Sequence, residues 1–386
     1  MMTGTREGLS VEKSARLESL DAFRGLTMAG MVIVNNPGDW GHIYWPLEHA
    51  KWDGCTPTDL IFPFFLFIVG VSLTISRGTM GNPWRILKRA FVIWGLGFLL
   101  AFWPRFNLAT VRIPGVLARI AVCYLVAAFV YRWTAPGGTV ADSTRYVHGR
   151  RLGLLAILLT VAYWLVMTFV PAPGGVAGDL TPSGNIGAWL DRTLLSGHLW
   201  SQSKTWDPEG ILSTVPALAT TLIGAVAGLW IGSSAARLDK AIKLGLGGVL
   251  SMAAGLVWSI WFPLNKALWT SSYVWFTAGA AALLLAVCMA TIDVYGWRRW
   301  SKPFVVLGLN AIALFVLSGY LAKQMGLIRW VGANGAKTSL SEFVYHSYFV
   351  PLANPYNASL LYAFANLLVL YGVLVVMHKR GIYLKA

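Results

Sequence analysis

The sequence predicts an all-α integral membrane protein that crosses the bilayer about ten times. Of its 386 residues, 56% are hydrophobic and only 12% are charged, and the mean hydropathy is +0.60. An ordinary soluble domain carries about twice that share of charge, so this composition is typical of a polytopic membrane protein. The apolar residues are also grouped into long segments, and most Lys and Arg residues fall in the connections between them.

Ten segments approach the roughly 20 mostly apolar residues that a spanning helix needs. They are Leu20–Asn35, Thr58–Ser76, Ile86–Trp103, Val116–Trp133, Leu152–Val170, Ile211–Gly232, Leu244–Phe262, Tyr273–Ile292, Phe304–Lys323 and Ser359–His378. A further apolar piece, Ser339–Leu352, is too short to span alone and precedes the chain break at Asn354-Pro355. We predict a re-entrant or interfacial helix there, which would raise the number of helices to eleven.

The distribution of positive charge predicts the orientation of these helices. The connections on the side of the amino terminus hold about twice as many Lys and Arg residues as those on the other side, so both termini are expected in the cytoplasm. Residues 1–19 are mostly polar and are predicted to be a cytoplasmic segment rather than a signal peptide. Residues 20–386 then form one transmembrane domain. The net charge of +15 fits this orientation and does not indicate nucleic-acid binding.

A short polar loop before the second apolar segment carries the most unusual residues. His49 has an unperturbed pKa near neutrality, so its imidazole can take up and release a proton. Trp52 is one of several aromatic residues around it. Asp53 in the same loop and Asp59 at the start of the next helix could each orient the ring with a carboxylate. Asn35 ends the first segment just before Pro37 and is either helix punctuation or an amide for a substrate carbonyl. A single loop histidine is often only a polar surface residue, so His49 is interpreted either as a catalytic residue or as a surface residue.

Charged residues within the apolar segments call for a partner, because an isolated charge in a bilayer costs a few kcal/mol. Asp21 and Arg24 lie three residues apart on one helix face. They either form an ion pair that anchors the helix end or contact an anionic cofactor from the cytoplasmic side. Arg112 and Arg119 flank the start of the fourth segment. They either hold phosphates or carboxylates, or they pair with acidic residues of neighbouring helices.

The longest outer connection, residues 171–210, is also the most acidic. It contains Asp191, Asp207 and Glu209, together with His198. Asp207 followed by Pro208 is a good amino-terminal cap for the next helix, whereas Glu209 is not needed for that cap. No spacing of His, Cys or acidic residues resembles a metal site, and the chain has no nucleotide-binding loop or serine nucleophile motif. We therefore predict that no metal is used.

Five short motifs follow one another along the chain, and together they resemble one family. They are Ser19–Gly25, Glu48–Gly54 with Thr58–Pro63, Val111–Leu117, Asp207–Leu212, and Pro263–Lys266 with Leu268–Trp269. Each motif is weak by itself, but the five in this order resemble heparan-α-glucosaminide N-acetyltransferase and its bacterial relatives. The resemblance covers nearly the whole chain, from about residue 17 onward.

The resemblance implies an activity and roles for several residues. The family transfers the acetyl group of cytosolic acetyl-CoA to a glucosamine amine on the far side of the membrane. His49 matches the family's essential histidine, and Asn35 matches its active-site asparagine. His49 would act as a base or as an acyl carrier, Asn35 would donate to the oxyanion, and Asp59 would hold the histidine.

The same resemblance suggests where the cofactor and the acceptor bind. CoA is polyanionic and cytosolic, so its nucleotide end is expected at a basic inner entrance, with Arg24, Arg85, Lys88 and Arg89 as candidates. Further cofactor contacts are predicted at the charged residues Asp21, Arg112 and Arg119. A cationic amino sugar would suit the outer acidic and aromatic residues, namely Trp52, Asp191, His198, Asp207 and Glu209.

We therefore predict an acetyl-CoA-dependent amino-sugar N-acetyltransferase of the bacterial inner membrane. The expected partners are acetyl-CoA, the amino sugar and the lipid bilayer, with a homodimer as an open option and no nucleic acid. Two other functions also stay open. One is a sugar transporter with broken helices, and the other is an O-acyltransferase that acts on a cell-envelope glycan.

Overall fold

The computed structural model describes residues 17–75, 82–135, 142–331 and 337–384, and it is almost entirely helical. The helices are α1 Glu18–Asn35, α2 Ile61–Ile75, α3 Pro83–Phe102, α4 Val116–Thr134, α5 Asp142–Phe169, α6 Ile186–Leu194, α7 Thr214–Ile231, α8 Arg237–Trp258, α9 Ser271–Cys288, α10 Lys302–Leu309, α11 Ala311–Leu327, α12 Leu340–Val344 and α13 Pro355–Lys379. One antiparallel ribbon joins β1 Arg329–Val331 to β2 Lys337–Ser339. The all-α multi-pass prediction is confirmed, whereas residues 1–16 of the predicted cytoplasmic segment lie outside the described residues.

Helices lie at all ten predicted positions, but they differ in how well they meet the length and polarity of a spanning helix. Seven are long and apolar enough alone, and the bent pair α10–α11 makes an eighth among the described residues. Helices α1 and α3 each carry three charged side chains, so they are too polar to meet that requirement. Most of these charges lie towards the end that is predicted to be cytoplasmic.

The ninth predicted segment is not a straight helix. Helices α10 and α11 meet at 81°, and the bend is at Asn310. This asparagine is fully buried. Its Nδ2 donates to the carbonyl of Ile382 over 3.1 Å, and its Oδ1 accepts from the N–H of Leu384 over 3.0 Å. The amide therefore ties the broken helix to the chain that follows α13, and the prediction of one continuous helix at 304–323 was wrong.

The predicted re-entrant or interfacial piece is a short irregular helix. Helix α12 continues as a π-helical turn at Tyr345–Phe349 and a 3₁₀ turn at Val350–Leu352. Asn354 then caps α13 by accepting the N–H of Asn357 over 2.9 Å. Pro355 occupies the first helical position, where its missing N–H has no intrahelical partner to lose. The Asn-Pro pair thus begins the last spanning helix rather than only breaking the chain.

Glycines bring the central helices into close contact. A Cβ at Gly70 of α2 would lie 1.9 Å from the carbonyl oxygen of Thr221, and one at Gly224 of α7 would lie 2.1 Å from that of Phe67. Only glycine allows two backbones to approach so closely, as is common between membrane helices. Helices α2 and α7 are therefore fixed in register, and the residues at their amino-terminal ends are fixed with them.

Candidate active site

Four helices begin at the same end of the bundle, and their first turns and preceding loops form one polar site. The phenol of Tyr273, in the first turn of α9, donates to the carbonyl of Asp59 before α2 over 2.5 Å. Arg119, in the first turn of α4, donates to the hydroxyl of Ser213 just before α7. Each helix directs its free N–H groups and the positive end of its dipole toward this region. The arrangement favours a group that is negative or becomes negative during a reaction.

His49 and Asp59 form the centre of this site. His49 Nδ1 lies 2.7 Å from Asp59 Oδ1, and the carboxylate is only 1% exposed whereas the imidazole is 49% exposed. No described residue forms a hydrogen bond with Nε2. The pairing that the sequence suggested is therefore present, and it leaves one ring nitrogen for a substrate.

The local sequence explains why Asp59 is held so firmly. Thr56-Pro57-Thr58-Asp59 has the spacing of a capping box, with proline at the first helical position. The second oxygen of Asp59, Oδ2, accepts from the N–H groups of Thr56 and Ala50, each over 3.1 Å. One side chain therefore begins the helix, fastens the histidine loop and orients the ring.

Lys266 is the third member of the cluster, and its role could not be predicted from the sequence. Its Nζ lies 3.0 Å from His49 Nδ1 and 3.4 Å from Asp59 Oδ1. Burial lowers the pKa of the Lys266 ammonium, although the negative charges of Asp59 and Glu209 oppose that change. The only signal in the sequence was that Lys266 belongs to one of the five motifs, because 217 residues separate it from His49.

The neighbours of Lys266 attach its turn to the histidine loop. Asn265 Nδ2 donates to Asp53 Oδ1 over 3.1 Å, and the N–H of Gly54 donates to the carbonyl of Leu264 over 2.7 Å. Asp53 therefore joins the two segments. Cys55 lies in the same loop, where burial raises the pKa of its thiol to about 12. Its thiol stays protonated at neutral pH, so it is a poor candidate for the acyl carrier.

The acidic residues of the outer connection form a separate ion-pair group. Arg112 donates to Asp207 through Nε over 2.8 Å and through Nη2 over 2.5 Å, and it also pairs closely with Glu209. Burial lowers the pKa of Arg112, but the bonds to Asp207 and Glu209 outweigh it and leave the pKa above its ordinary value. The alternative in which Arg112 pairs with acidic residues of another segment is therefore the observed arrangement.

Asp191 and His198 hold this group in place. Asp191 accepts from the N–H groups of Ile211 over 2.9 Å and Asp207 over 3.3 Å, and burial raises the pKa of its carboxyl. His198 Nδ1 lies 2.8 Å from the carbonyl of Val111. Both residues, like the buried Asp207, fasten chain segments to one another, and their predicted contacts to an amino sugar stay predictions.

One aromatic pair and one cation–π contact lie beside these polar groups. The ring of Trp52 meets that of Trp206 edge-on at 5.1 Å, and its Nε1 donates to the carbonyl of Leu180 over 3.0 Å. Arg119 is buried, and its guanidinium lies 5.1 Å from the ring of Trp269. Its Nε and Nη1 atoms have no hydrogen-bond partner within the described ranges. Trp206 was missed because nothing in the sequence distinguishes it from the other tryptophans.

Asn35 and the predicted Asp21–Arg24 pair lie on α1 and take no part in the contacts described above. Asn35 is exposed at the last residue of the helix, and no hydrogen bond between described residues joins it to His49. Arg24 Nη1 lies 3.1 Å from Asp21 Oδ1, which is the predicted ion pair, and its Nη2 donates to the hydroxyl of Ser72 over 2.9 Å. The ion-pair interpretation is therefore observed, and it does not exclude a contact between Arg24 and a cofactor.

Arg24 also lines a partly open cavity of about 340 Å³. Apolar side chains of α1–α4, α10 and α11 form most of its wall. Its polar lining residues include Arg24, Ser72, Arg89 and Tyr124, and Leu384 from the chain after α13 also lines it. The guanidinium of Arg89 lies over the ring of Tyr124 at 5.0 Å. In the part of the chain that the structure describes, no group of three or more His, Cys, Asp or Glu side chains is placed to hold a metal ion.

Comparison with known proteins identifies relatives of the chain. Residues 16–146 match the family model described as heparan-alpha-glucosaminide N-acetyltransferase, catalytic. The human protein of that name is 31% identical over 78% of this chain and 52% of its own length. The mouse protein is 30% identical over 78% of this chain and 53% of its own length. The chain thus spans about half the length of these curated relatives. It belongs to the family of the heparan-alpha-glucosaminide N-acetyltransferases.

Proposed function

We propose that this chain transfers the acetyl group of cytosolic acetyl-CoA to the amine of a glucosamine-type sugar on the periplasmic face of a bacterial inner membrane. The observation that carries the proposal is the His49–Asp59 pair, because a buried carboxylate at Nδ1 leaves Nε2 for a substrate. The names of the human and mouse relatives support acetyl transfer to a glucosamine. Their greater length leaves the acceptor of this chain to experiment.

Two chemical routes use the free Nε2 of His49. In direct transfer, Nε2 takes a proton from the acceptor amine while the amine nitrogen bonds to the thioester carbon. The C–S bond then breaks, and the departing thiolate of CoA regains a proton. In a relay, Nε2 itself bonds to the carbonyl carbon, the C–S bond breaks, and CoA leaves as its thiolate. The amine nitrogen then displaces Nε2 from that carbon, and the proton that the amine loses ends on the thiol of CoA. Exposed Asn35 is the proposed donor to the oxyanion in both routes.

The cavity lined by Arg24 supports entry of acetyl-CoA from the side opposite His49. Ser72, beside Arg24, lies thirteen residues after Asp59 along the same helical segment, which corresponds to about 20 Å of rise. The cavity also reaches Val116, the first residue of α4, whose amino-terminal end forms part of the site. We propose that Arg24 and Arg89 face the anionic part of CoA and that the apolar wall encloses its thioester arm. Arg119, whose Nε and Nη1 atoms have no hydrogen-bond partner among the described residues, is the proposed donor nearer the acetyl end.

The outer residues support an amine-bearing acceptor. Glu209 keeps 8% of its side chain exposed beside Arg112, and its charge acts on Lys266, so it faces the histidine cluster. Trp52 and Trp206 offer aromatic edges and faces next to that cluster. We propose that these residues contact the sugar, and that Asp191, Asp207 and His198 act by holding the loop that carries them.

The test is acetyl transfer by the purified protein from radiolabelled acetyl-CoA to glucosamine. We expect His49→Ala to lower kcat/KM by about 10²- to 10⁴-fold, the usual contribution of a general base. The matched control is His42→Ala. His42 Nδ1 also lies 2.7 Å from a carboxylate, that of Asp39, but both side chains are more than a third exposed. Wild-type transfer by His49→Ala, or equal losses in the two variants, would show that the proposal is wrong.

Two further measurements separate the alternative functions. The bent pair α10–α11 is the feature that a transporter would share. Radiolabelled sugar that accumulates unmodified in proteoliposomes without acetyl-CoA would identify a transporter. A product whose acetyl group is released by mild base would identify an O-acyltransferase, because an amide survives that treatment. Supplying acetyl-CoA and sugar on opposite sides of oriented proteoliposomes tests the transmembrane direction.

A further inference from the structure

Lys266 completes a triangle of polar atoms with the His49–Asp59 pair. The three distances are 2.7 Å between His49 Nδ1 and Asp59 Oδ1, 3.0 Å between Nδ1 and Lys266 Nζ, and 3.4 Å between Nζ and Oδ1. Lys266 lies in the connection between α8 and α9, whereas Asp59 lies in the turn just before α2, so two separate segments converge on one ring nitrogen. No described hydrogen bond of this triangle involves Nε2.

The two contacts at Nδ1 cannot both be hydrogen bonds at the same time. An ammonium only donates, so a bond from Lys266 requires a lone pair on Nδ1. The 2.7 Å contact with a carboxylate instead requires a proton on Nδ1, because two facing lone pairs repel each other. The short distance and the burial of Asp59 favour the second arrangement. Lys266 then attracts the carboxylate of Asp59, and its positive charge disfavours a second positive charge on the ring.

The other charged groups around the ring are already bonded or lie further from Nδ1. Asp53 of the same loop is bonded to Asn265, and Glu209 of the outer connection is paired with Arg112. Cys55 keeps its proton, and the phenol of Tyr273 donates to the backbone of Asp59. Glu48 and Lys51 are exposed residues of the histidine loop and have opposite charges. Lys266 is therefore the cation in direct contact with the pair among the described residues.

We propose that Lys266 is a positioning residue that keeps the His49 imidazole neutral, with its proton on Nδ1 and a lone pair on Nε2. The lysine balances the charge of Asp59, which would otherwise favour a protonated histidine. A neutral cluster lets Nε2 accept a proton or bond to a carbonyl carbon at neutral pH. This inference rests on the proposed role of His49 and assigns Lys266 a part in it.

The sign of the effect follows from the charges. Removing Lys266 leaves Asp59 next to the imidazole with no opposing cation, and an opposite charge favours the protonated form. The protonated form of His49 is then favoured, so the activity that needs its neutral form should be lost at a higher pH as the solution is acidified. We expect the acidic limb of the kcat/KM profile to move up by about one pH unit in Lys266→Met. Lys266→Arg keeps the charge and should leave the limb near its wild-type position.

A second readout does not depend on activity. Diethyl pyrocarbonate modifies neutral imidazole, so the rate of His49 modification against pH, followed by peptide mass spectrometry, reports the protonation of that ring. We expect this curve to move up by about one pH unit in Lys266→Met, while the curve of His42 in the same sample stays in place. If Lys266→Met does not fold, Lys266→Gln provides the same comparison.

The outcomes separate this inference from the proposed function. If His49→Ala abolishes transfer but the profiles of Lys266→Met and wild type coincide, the role of Lys266 is wrong and that of His49 stands. An equal shift in Lys266→Arg would also contradict the inference, because it would implicate the shape of the lysine rather than its charge. If His49→Ala transfers acetyl normally, the proposed function itself fails.

Discussion

Replacing Asp59 by asparagine is the sharpest test of the way the histidine is held. Asp59 accepts at both oxygens, from His49 Nδ1 on one side and from the N–H groups of Ala50 and Thr56 on the other. An asparagine can accept on only one side. The two backbone donors are fixed, so its oxygen should face them and its NH₂ group should face His49.

That orientation reverses the tautomer of the histidine. Nδ1 must then accept, its proton moves to Nε2, and the nitrogen proposed to face the substrate loses its lone pair. In a serine protease the equivalent change lowers kcat by about 10⁴-fold. We expect kcat/KM of Asp59→Asn to fall by about 10³-fold or more. Raising the pH should not restore it, because the neutral ring itself is in the wrong form.

The fold should tolerate this change, since both backbone bonds to Asp59 survive. Asp59→Ala is the contrasting variant. It leaves the N–H groups of Thr56 and Ala50 without their acceptor, at a cost of about 1–3 kcal/mol for each buried donor. Both variants remove the carboxylate that faces Lys266, so thermal unfolding in detergent should give each of them a Tm below wild type. The Tm of Asp59→Ala should be the lower of the two, because only that variant also leaves the two backbone donors unpaired. Acetyl transfer by Asp59→Asn within a few-fold of wild type would refute the reasoning.

Two predictions concern the scaffold. Arg112→Met should destabilise the protein by about 3–5 kcal/mol in unfolding measurements, because it leaves the buried Asp207 carboxylate without its cation. A Tm unchanged by this substitution would contradict the role of Arg112 as that cation. Gly70→Ala should abolish the folded protein on size-exclusion chromatography, because a Cβ there would lie 1.9 Å from the carbonyl of Thr221. Gly95→Ala is the matched control, with no atom within 4 Å of its Cβ. Equal yields of folded protein from the two glycine variants would contradict the packing described for α2 and α7.

The positions of the helices could be predicted from the sequence, whereas the path of one of them could not. Runs of apolar residues mark every spanning segment because the bilayer demands them. Asn310 lies inside such a run, and hydropathy does not report that its amide bonds to Ile382 and Leu384 and that the helix turns there by 81°. A buried amide inside an apolar segment is the feature that could have indicated the break.

The candidate active site likewise contains contacts that could be predicted from the sequence and contacts that could not. The pairing of His49 with Asp59 could be predicted because ten residues separate them and one opens a helix that needs a cap. The contact of Lys266 with His49 joins residues 217 apart, so it depends on how α2 and α9 pack and not on any local pattern. Arg112 was ambiguous because the same guanidinium serves a phosphate or a carboxylate equally well, and only the position of Asp207 decides between them. The catalytic and binding roles of all these residues stay predictions.

The chain after α13 has a practical consequence for work on the protein. Asn310 holds Ile382 and Leu384, and Leu384 is one of the residues that line the cavity beside Arg24. An affinity tag or fluorescent fusion placed directly after this segment would begin beside the proposed route of acetyl-CoA. Its bulk or charge would then alter the apparent affinity for the cofactor without any change in the residues of the active site. Kinetic comparisons of variants should therefore use proteins whose tags are at the amino terminus or have been removed.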